Sequence, residues 1–188
     1  MSIPAQIRKV FNNAICLFTK HDIETALDAM AISIHNELSE ANPILLTVLK
    51  GGVVLMGNLL PRLDFPLELD SVYATRYQGA FEGSKLEWKY EPKTSLQDRT
   101  VLIVDDILDL GITLQAIVDY CYKNGAKKVY TAVLLDKKVV KRPAEGLQKA
   151  DFVALEVDDR FVFGYGLDYK EYLRNAPGIY EVAPEDQN

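Results

Sequence analysis

The sequence predicts an α/β fold built on a parallel sheet, and three observations carry the prediction. First, ILLTVL (44–49), TVLIVDD (100–106) and KVYTAVLLD (128–136) are short, nearly continuous apolar runs. Such runs suit strands buried on both faces of a sheet. Second, the first two of these runs are followed by a glycine-containing turn and then a helical pattern, the alternation that makes neighbouring strands parallel. Third, 188 residues with 48% hydrophobic and 26% charged composition supply one ordinary domain with a real core.

The elements follow in chain order. Ile23, Leu27, Met30, Ile34 and Leu38 lie at helical spacing over 22–38, with Asp22 the expected N-cap. The strand 44–49 ends in Lys50-Gly51-Gly52, and a helix over 53–63 follows, closed by Pro66. Residues 67–77 alternate and are β-branched, as in another strand. The stretch 78–98 is rich in charge, with two glycines and a proline, and reads as a long mobile loop or loose hairpin of the kind that carries function. A strand over 100–106 leads through a turn into a helix over 113–124, with Gly125 as its stop. After the strand 128–136 come short β-like pieces, FVALEV and FVFGYG, and a polar tail expected to be disordered.

Composition excludes several functions. A net charge of −6 speaks against a broad nucleic-acid footprint, while leaving room for a local phosphate site. Cys16 and Cys121 are far apart with no Cys or His partner at ligand spacing, so neither a disulfide framework nor a zinc site is expected, and reduced thiols fit a cytoplasmic protein. No long apolar stretch follows the first basic residues as in a signal peptide, and no run of apolar residues is long enough to span a membrane.

The chemistry concentrates in VLIVDDILDLGITL (101–114). Asp105 and Asp106 sit at the carboxyl end of a strand, the edge where open α/β sheets bind ligands. Asp109-Leu110-Gly111-Ile112-Thr113 opens the following helix; free N–H groups, a glycine and a threonine hydroxyl there make a phosphate cradle. Acids beside a phosphate are reconciled by a sugar diol, whose hydroxyls donate to carboxylates, and by Mg²⁺. The bland alternative is that the acids end a strand and Gly111 makes a turn. A receiver domain would open the same way, but too few residues follow Thr100 for five doubly wound strands.

This stretch resembles the ribose-5-phosphate and diphosphate recognition motif of type I phosphoribosyltransferases. LLTVLKGG (45–52) is similar to the pyrophosphate loop of the hypoxanthine-guanine branch, LLDK (134–137) to its base-contacting strand end, and DFVALEVDDRFVFGYGLDYKEYLRN (151–175) to its C-terminal hood. The motifs fall in the family's order over roughly residues 20–180. The resemblance implies a type I phosphoribosyltransferase fold in a single domain, 1–188. Its core would be about 22–136, its hood about 137–180 with the N-terminus able to contribute, and its tail 181–188. The implied reaction joins hypoxanthine or guanine to 5-phosphoribosyl 1-diphosphate, with Mg²⁺ as cofactor and a homodimer or homotetramer as assembly. Rival readings are a xanthine-preferring enzyme, and a donor-sensing or RNA-binding regulator on the same fold.

The resemblance also implies roles. Asp105 and Asp106 would hold the ribose hydroxyls directly or through Mg²⁺. Asp109 would be the general base for the purine nitrogen that attacks ribose, with N-capping as its alternative. Gly111, Ile112 and Thr113 would donate to the 5′-phosphate; Leu110 stands where the family usually has a hydroxyl residue, leaving more of the grip to backbone. Lys50 and Gly51 would face pyrophosphate, with a cis peptide before Lys50, and Arg174 would contact the same group. Lys137 would donate to the purine 6-oxo group, and Arg142, in a loop longer than is common, receives no role. Phe161 would stack on the base unless it is simply core, and the Val162 backbone would read the base edge. Asp168 would lie on the base side and ligate Mg²⁺. Arg76 and Tyr77 would close over the reaction, Arg76 standing where the family has serine. His21 and His35 receive no role, and Trp88, within the 78–98 stretch, is left between packing on the closed site and packing on a partner chain.

Overall fold

The computed structural model describes residues 4–76, 86–138 and 141–187. Helix α1 (Ala5–Asn13) and strand β1 (Ile15–Phe18) precede the long helix α2 (Lys20–Leu38). Strand β2 (Ile44–Val48), helix α3 (Gly52–Leu59) and a 3₁₀ turn at Leu60–Arg62 lead to β3 (Glu68–Arg76) and β4 (Leu86–Tyr90). Then come β5 (Thr100–Leu108), helix α4 (Ile112–Lys123), β6 (Lys128–Lys138) and β7 (Phe152–Asp158). The chain finishes with β8 (Val162–Phe163), β9 (Ile179–Glu181) and a 3₁₀ turn at Pro184–Asp186.

The main sheet runs β4-β3-β2-β5-β6-β7, parallel throughout except for the edge strand β4. Register explains its two-faced core. Leu45 pairs with Leu102, flanked by the pairs Ile44–Val101 and Leu46–Ile103. Alternate residues point to opposite faces. Leu45, Leu102 and Val104 accordingly pack with Ile34 of α2 and Leu55 of α3. Leu46, Val101 and Ile103 pack on the other face with Leu114, Ile117 and Cys121 of α4. Each fully buried side chain of this kind contributes roughly 1.5–3 kcal/mol.

This topology creates the cleft. From β2 the chain crosses through α3 to β3 on one side, and from β5 through α4 to β6 on the other. The order therefore reverses between β2 and β5, and ligands bind at such switch points, beyond the carboxyl ends of the strands. Pairing of β2 to β5 stops at Thr47–Val104, whereas β5 stays paired to β6 as far as Leu108–Asp136. Asp105 and Asp106 thus lie where β2 has run out and its side of β5 is open.

A second sheet, β1-β9-β8, is antiparallel and joins the two ends of the chain. Beneath it, Ile7 and Val10 of α1 pack with Phe163, Tyr169 and Val182.

Several sequence expectations need correction. The α2 N-cap is Thr19; Asp22 is the third helical residue of a capping box, its carboxylate accepting from the Thr19 N–H at 2.8 Å while the Thr19 hydroxyl accepts from the Asp22 N–H at 3.3 Å. Of the two readings of 78–98, the hairpin holds over its described part, where β4 pairs antiparallel to β3 with Trp88 opposite Ala74. The Trp88 ring lies against Tyr120 of α4, centroids 4.5 Å apart. Strands β5 and β6 each run two residues further than their apolar runs, because β5 stays paired with β6 to Leu108–Asp136 and β6 with β7 to Lys138–Asp158. The polar tail is packed through Gln187: the Asp186 carboxylate accepts from Lys9 Nζ and Asn13 Nδ2, both at 2.9 Å, and its carbonyl accepts from the Tyr169 hydroxyl at 2.7 Å. Helix α1 was not anticipated at all.

Candidate active site

A cleft of about 410 Å³ opens at the switch point, with Asp105 and Asp106 at its floor, Gly51 on one side, Gly111 and Thr113 on another, and Arg174 above. Glycine at Gly51 leaves the Asp106 carboxylate in place, because a Cβ there would lie 1.9 Å from it and force it to move. The Leu49–Lys50 peptide is cis, as the resemblance implies.

Helix α4 opens on Gly111, which is left-handed at φ +74° and provides no side-chain cap. Its first N–H groups therefore face the cleft without a side-chain acceptor, the arrangement that receives anions. Asp109 lies two residues before this cap, so the N-capping alternative for Asp109 does not hold. Ile112 is the first helical residue, and Leu110 lines the cleft without supplying a hydroxyl.

The floor is electrostatically costly. Burial, followed by the charge of Asp106, pushes the Asp105 carboxyl well above the usual range. Burial also raises Asp106, opposed by its bond with Asp105 and by Arg174. The fold alone gains nothing from two adjacent buried carboxylates, and perturbed groups in a cleft mark functional sites.

The far wall comes from the end of β6. Lys137 is mostly buried, with Nζ 2.8 Å from Asp159 Oδ1 and 3.8 Å from Asp109 Oδ1. Its ammonium is thereby held beside the candidate base. Phe161 is 43% exposed at the head of β8, its ring 5.9 Å from Tyr169, so it is not a core residue. Val162 is buried and pairs with Glu181.

On the phosphate side, Arg174 Nη2 is 2.6 Å from Asp168 Oδ1 and its Nη1 is 3.9 Å from Asp106 Oδ2. The guanidinium thus reaches both Asp168 and Asp106. Among the described residues, no group of three or more His, Cys, Asp or Glu is placed to hold a metal ion. The donor chemistry nevertheless suits Mg²⁺, which keeps several waters and takes one or two carboxylates together with substrate oxygens.

The structure therefore brings Gly51, Asp105, Asp106, Asp109, Leu110, Gly111, Thr113 and Arg174 to one cleft. Lys50, Lys137 and Asp168 join it through ion pairs. Phe161 and Val162 follow Asp159 in the chain and are not among the residues that line the cleft. Arg76 ends β3, and Tyr77 lies outside the described residues. Sequence reasoning missed three participants: Asp159, Glu171 and Arg142. Arg142 donates to the carbonyls of Leu108, Asp109, Lys137 and Gln148 at 2.7–3.0 Å and pairs with Asp136, clamping the turn before α4 to the end of β6. The only signal for it was a basic residue in a loop of unusual length.

The model of the phosphoribosyl transferase domain family matches residues 17–170. Hypoxanthine-guanine phosphoribosyltransferase of Bacillus subtilis (strain 168) is 33% identical over 169 residues, 89% of this chain and 92% of that protein. Hypoxanthine-guanine-xanthine phosphoribosyltransferase of Tritrichomonas foetus is 29% identical over 163 residues, 87% and 88% of the two chains. The crystal structure of a hypoxanthine phosphoribosyltransferase from Staphylococcus aureus superposes with a TM-score of 0.87 at 28% identity, covering 95% of this chain and 96% of the other. A match of that extent, across the very segments that build the cleft, makes this chain a member of the phosphoribosyl transferase domain family.

Proposed function

We propose that the protein transfers ribose 5-phosphate from 5-phosphoribosyl 1-diphosphate to hypoxanthine or guanine, releasing pyrophosphate and giving IMP or GMP in purine salvage. One observation carries the choice of base: a lysine ammonium at the end of β6 stands 3.8 Å from the Asp109 carboxylate that would take the base's proton. An ammonium has donors and no acceptor, so it pairs with a 6-oxo group and meets adenine's 6-amino group as donor against donor.

In the proposed mechanism the carboxylates of Asp105 and Asp106 accept from the ribose hydroxyls and fix the ring. The uncapped start of α4 and the Thr113 hydroxyl hold the 5′-phosphate. The bond from the ribose carbon to pyrophosphate breaks as a purine ring nitrogen gives its electron pair to that carbon. Asp109 takes the proton the purine loses. Lys50, the Gly51 backbone and Arg174 face the departing pyrophosphate, Phe161 covers the base, and the Val162 backbone meets its edge. Asp105, Asp106 and Asp168 are the carboxylates that would hold Mg²⁺, which would supply charge neutralisation to the leaving group when bound. Arg76 and Tyr77 belong to the segment that would exclude water. A homodimer or homotetramer is the assembly that fits this reading. Among the described residues no helix is long and apolar enough to cross a membrane, which accords with a cytoplasmic enzyme.

The test is kcat/KM for hypoxanthine, guanine, xanthine and adenine with the donor, in wild type and Lys137→Ala. Hypoxanthine and guanine should turn over comparably, and adenine should be rejected by as much as about 10⁴-fold. Lys137→Ala should impair 6-oxopurine use and spare the KM for donor. Preference for adenine would sink the assignment, and preference for xanthine would favour the reading suggested by the Tritrichomonas foetus relative.

A further inference from the structure

The two cations assigned to pyrophosphate are already bridged by a carboxylate that has no part in the reaction described above. Glu171 Oε2 lies 2.8 Å from Lys50 Nζ and 3.8 Å from Arg174 Nη2. One anionic oxygen between these two cations is the placement a diphosphate oxygen would take. Lys50 and Glu171 are distant in sequence and meet only because the hood folds over the pyrophosphate loop.

The local backbone shows that Glu171 is placed there by its surroundings. It is left-handed at φ +68°, a conformation that costs any residue with a side chain. Its N–H donates to Asp168 Oδ2 at 2.8 Å, and the other oxygen of Asp168 holds Arg174 at 2.6 Å. The turn thus aims the Glu171 carboxylate at both cations. The bond to Lys50 holds the Glu171 carboxyl below its usual range. The side chains of both Lys50 and Glu171 are more than half exposed, so the pair is open to exchange with a solute.

We propose that Glu171 is the displaceable counter-anion of the pyrophosphate subsite, holding Lys50 and Arg174 in register while the subsite is empty and yielding them to a diphosphate oxygen. The inference rests on the phosphoribosyl transfer reading, since only there do Lys50 and Arg174 share an anionic ligand. It has two consequences. The carboxylate competes with the donor on entry, and it returns to the cations as pyrophosphate leaves, which speeds release. An exposed pair resists displacement weakly, so the effect on affinity is about two- to five-fold.

The test compares wild type with Glu171→Gln, which keeps shape and removes charge, and with Glu156→Gln as a charge control. Glu156 pairs with Lys138 at 2.7 Å on the exposed edge of β7, away from the cleft. Inorganic pyrophosphate with Mg²⁺ is titrated by calorimetry, and KM is measured separately for donor and base. Glu171→Gln should lower the Kd for pyrophosphate and the KM for donor about two- to five-fold and leave the KM for base unchanged. The difference should shrink as salt rises, and Glu156→Gln should match wild type. Unchanged or weaker pyrophosphate binding in a Glu171→Gln protein that melts like wild type would overturn the inference while leaving the transfer reading intact. A wild type that neither binds pyrophosphate nor transfers ribose phosphate would overturn both.

Discussion

Asp109 can be separated from its neighbours by chemistry, because its side chain is half exposed at the cleft while its main chain is fixed by Arg142. Asp109→Asn keeps the shape and removes the proton acceptor. We expect kcat to fall about 10²–10⁴-fold, with nucleotide binding little changed, as measured by steady-state kinetics alongside calorimetry with IMP. Near-normal turnover would remove Asp109 from the role of base. The acids of this site were readable from sequence because Asp105, Asp106 and Asp109 share one contiguous strand-turn-helix. Asp159 and Glu171 were not. Each reaches its lysine from the hood, and no spacing rule encodes a contact made by tertiary folding. Phe161 shows the same limit from the other side: an aromatic in an apolar run left core and base stacking open, and its substantial exposure removes the core reading.

Elements were legible where burial imposed a clear period. Strands β2, β5 and β6 are buried on both faces, so their apolar runs announced them. Strand β4 is an edge with Trp88 packed inward and Glu87 and Lys89 exposed, and its period of two is brief and hemmed by Gly, Pro and charge. Helix α1 buries only Ile7 and Val10, too narrow a stripe to stand out. The connection between β6 and β7 carries a device that no local pattern reveals, because Arg142 acts on backbone carbonyls. Truncating it leaves those carbonyls and the buried face of Asp136 without their donor. We expect Arg142→Ala to lower both the melting temperature and kcat. Removing one partner from a buried, charge-assisted network typically costs about 3–5 kcal/mol. A normal kcat in a destabilised Arg142→Ala protein would show that the clamp serves folding alone.

At the scale of the whole molecule, the parallel sheet was evident from strand-helix alternation, while the pairing of one chain end with the other entered only through the resemblance, as an N-terminal contribution to the hood. That closure has a pH signature. Hydrogen bonds from Lys9 and Asn13 hold the Asp186 carboxyl below its usual range. A carboxyl depressed on folding stabilises the native state fully above its unfolded pKa, near about 4, and loses that contribution as pH falls through the lower folded value. Asp186→Asn should therefore melt earlier than wild type at neutral pH, with the gap narrowing in acid; thermal scans across pH check this. An equal gap at every pH would assign the loss to packing instead of charge.

Pairing of β1 with β9 also has a temporal consequence. During synthesis, β1 leaves the ribosome early and stays without its partner until residues 179–181 follow. Gly51 and the strand-turn-helix that line the cleft lie within residues 45–114 and pair with no part of β9, so they can assemble on the nascent chain first. Glu171, Arg174 and the β1-β9-β8 sheet are completed after them. A growing chain thus owns the floor of the cleft before it owns the residues that enclose it, and the site is whole only once residues 171–181 have emerged.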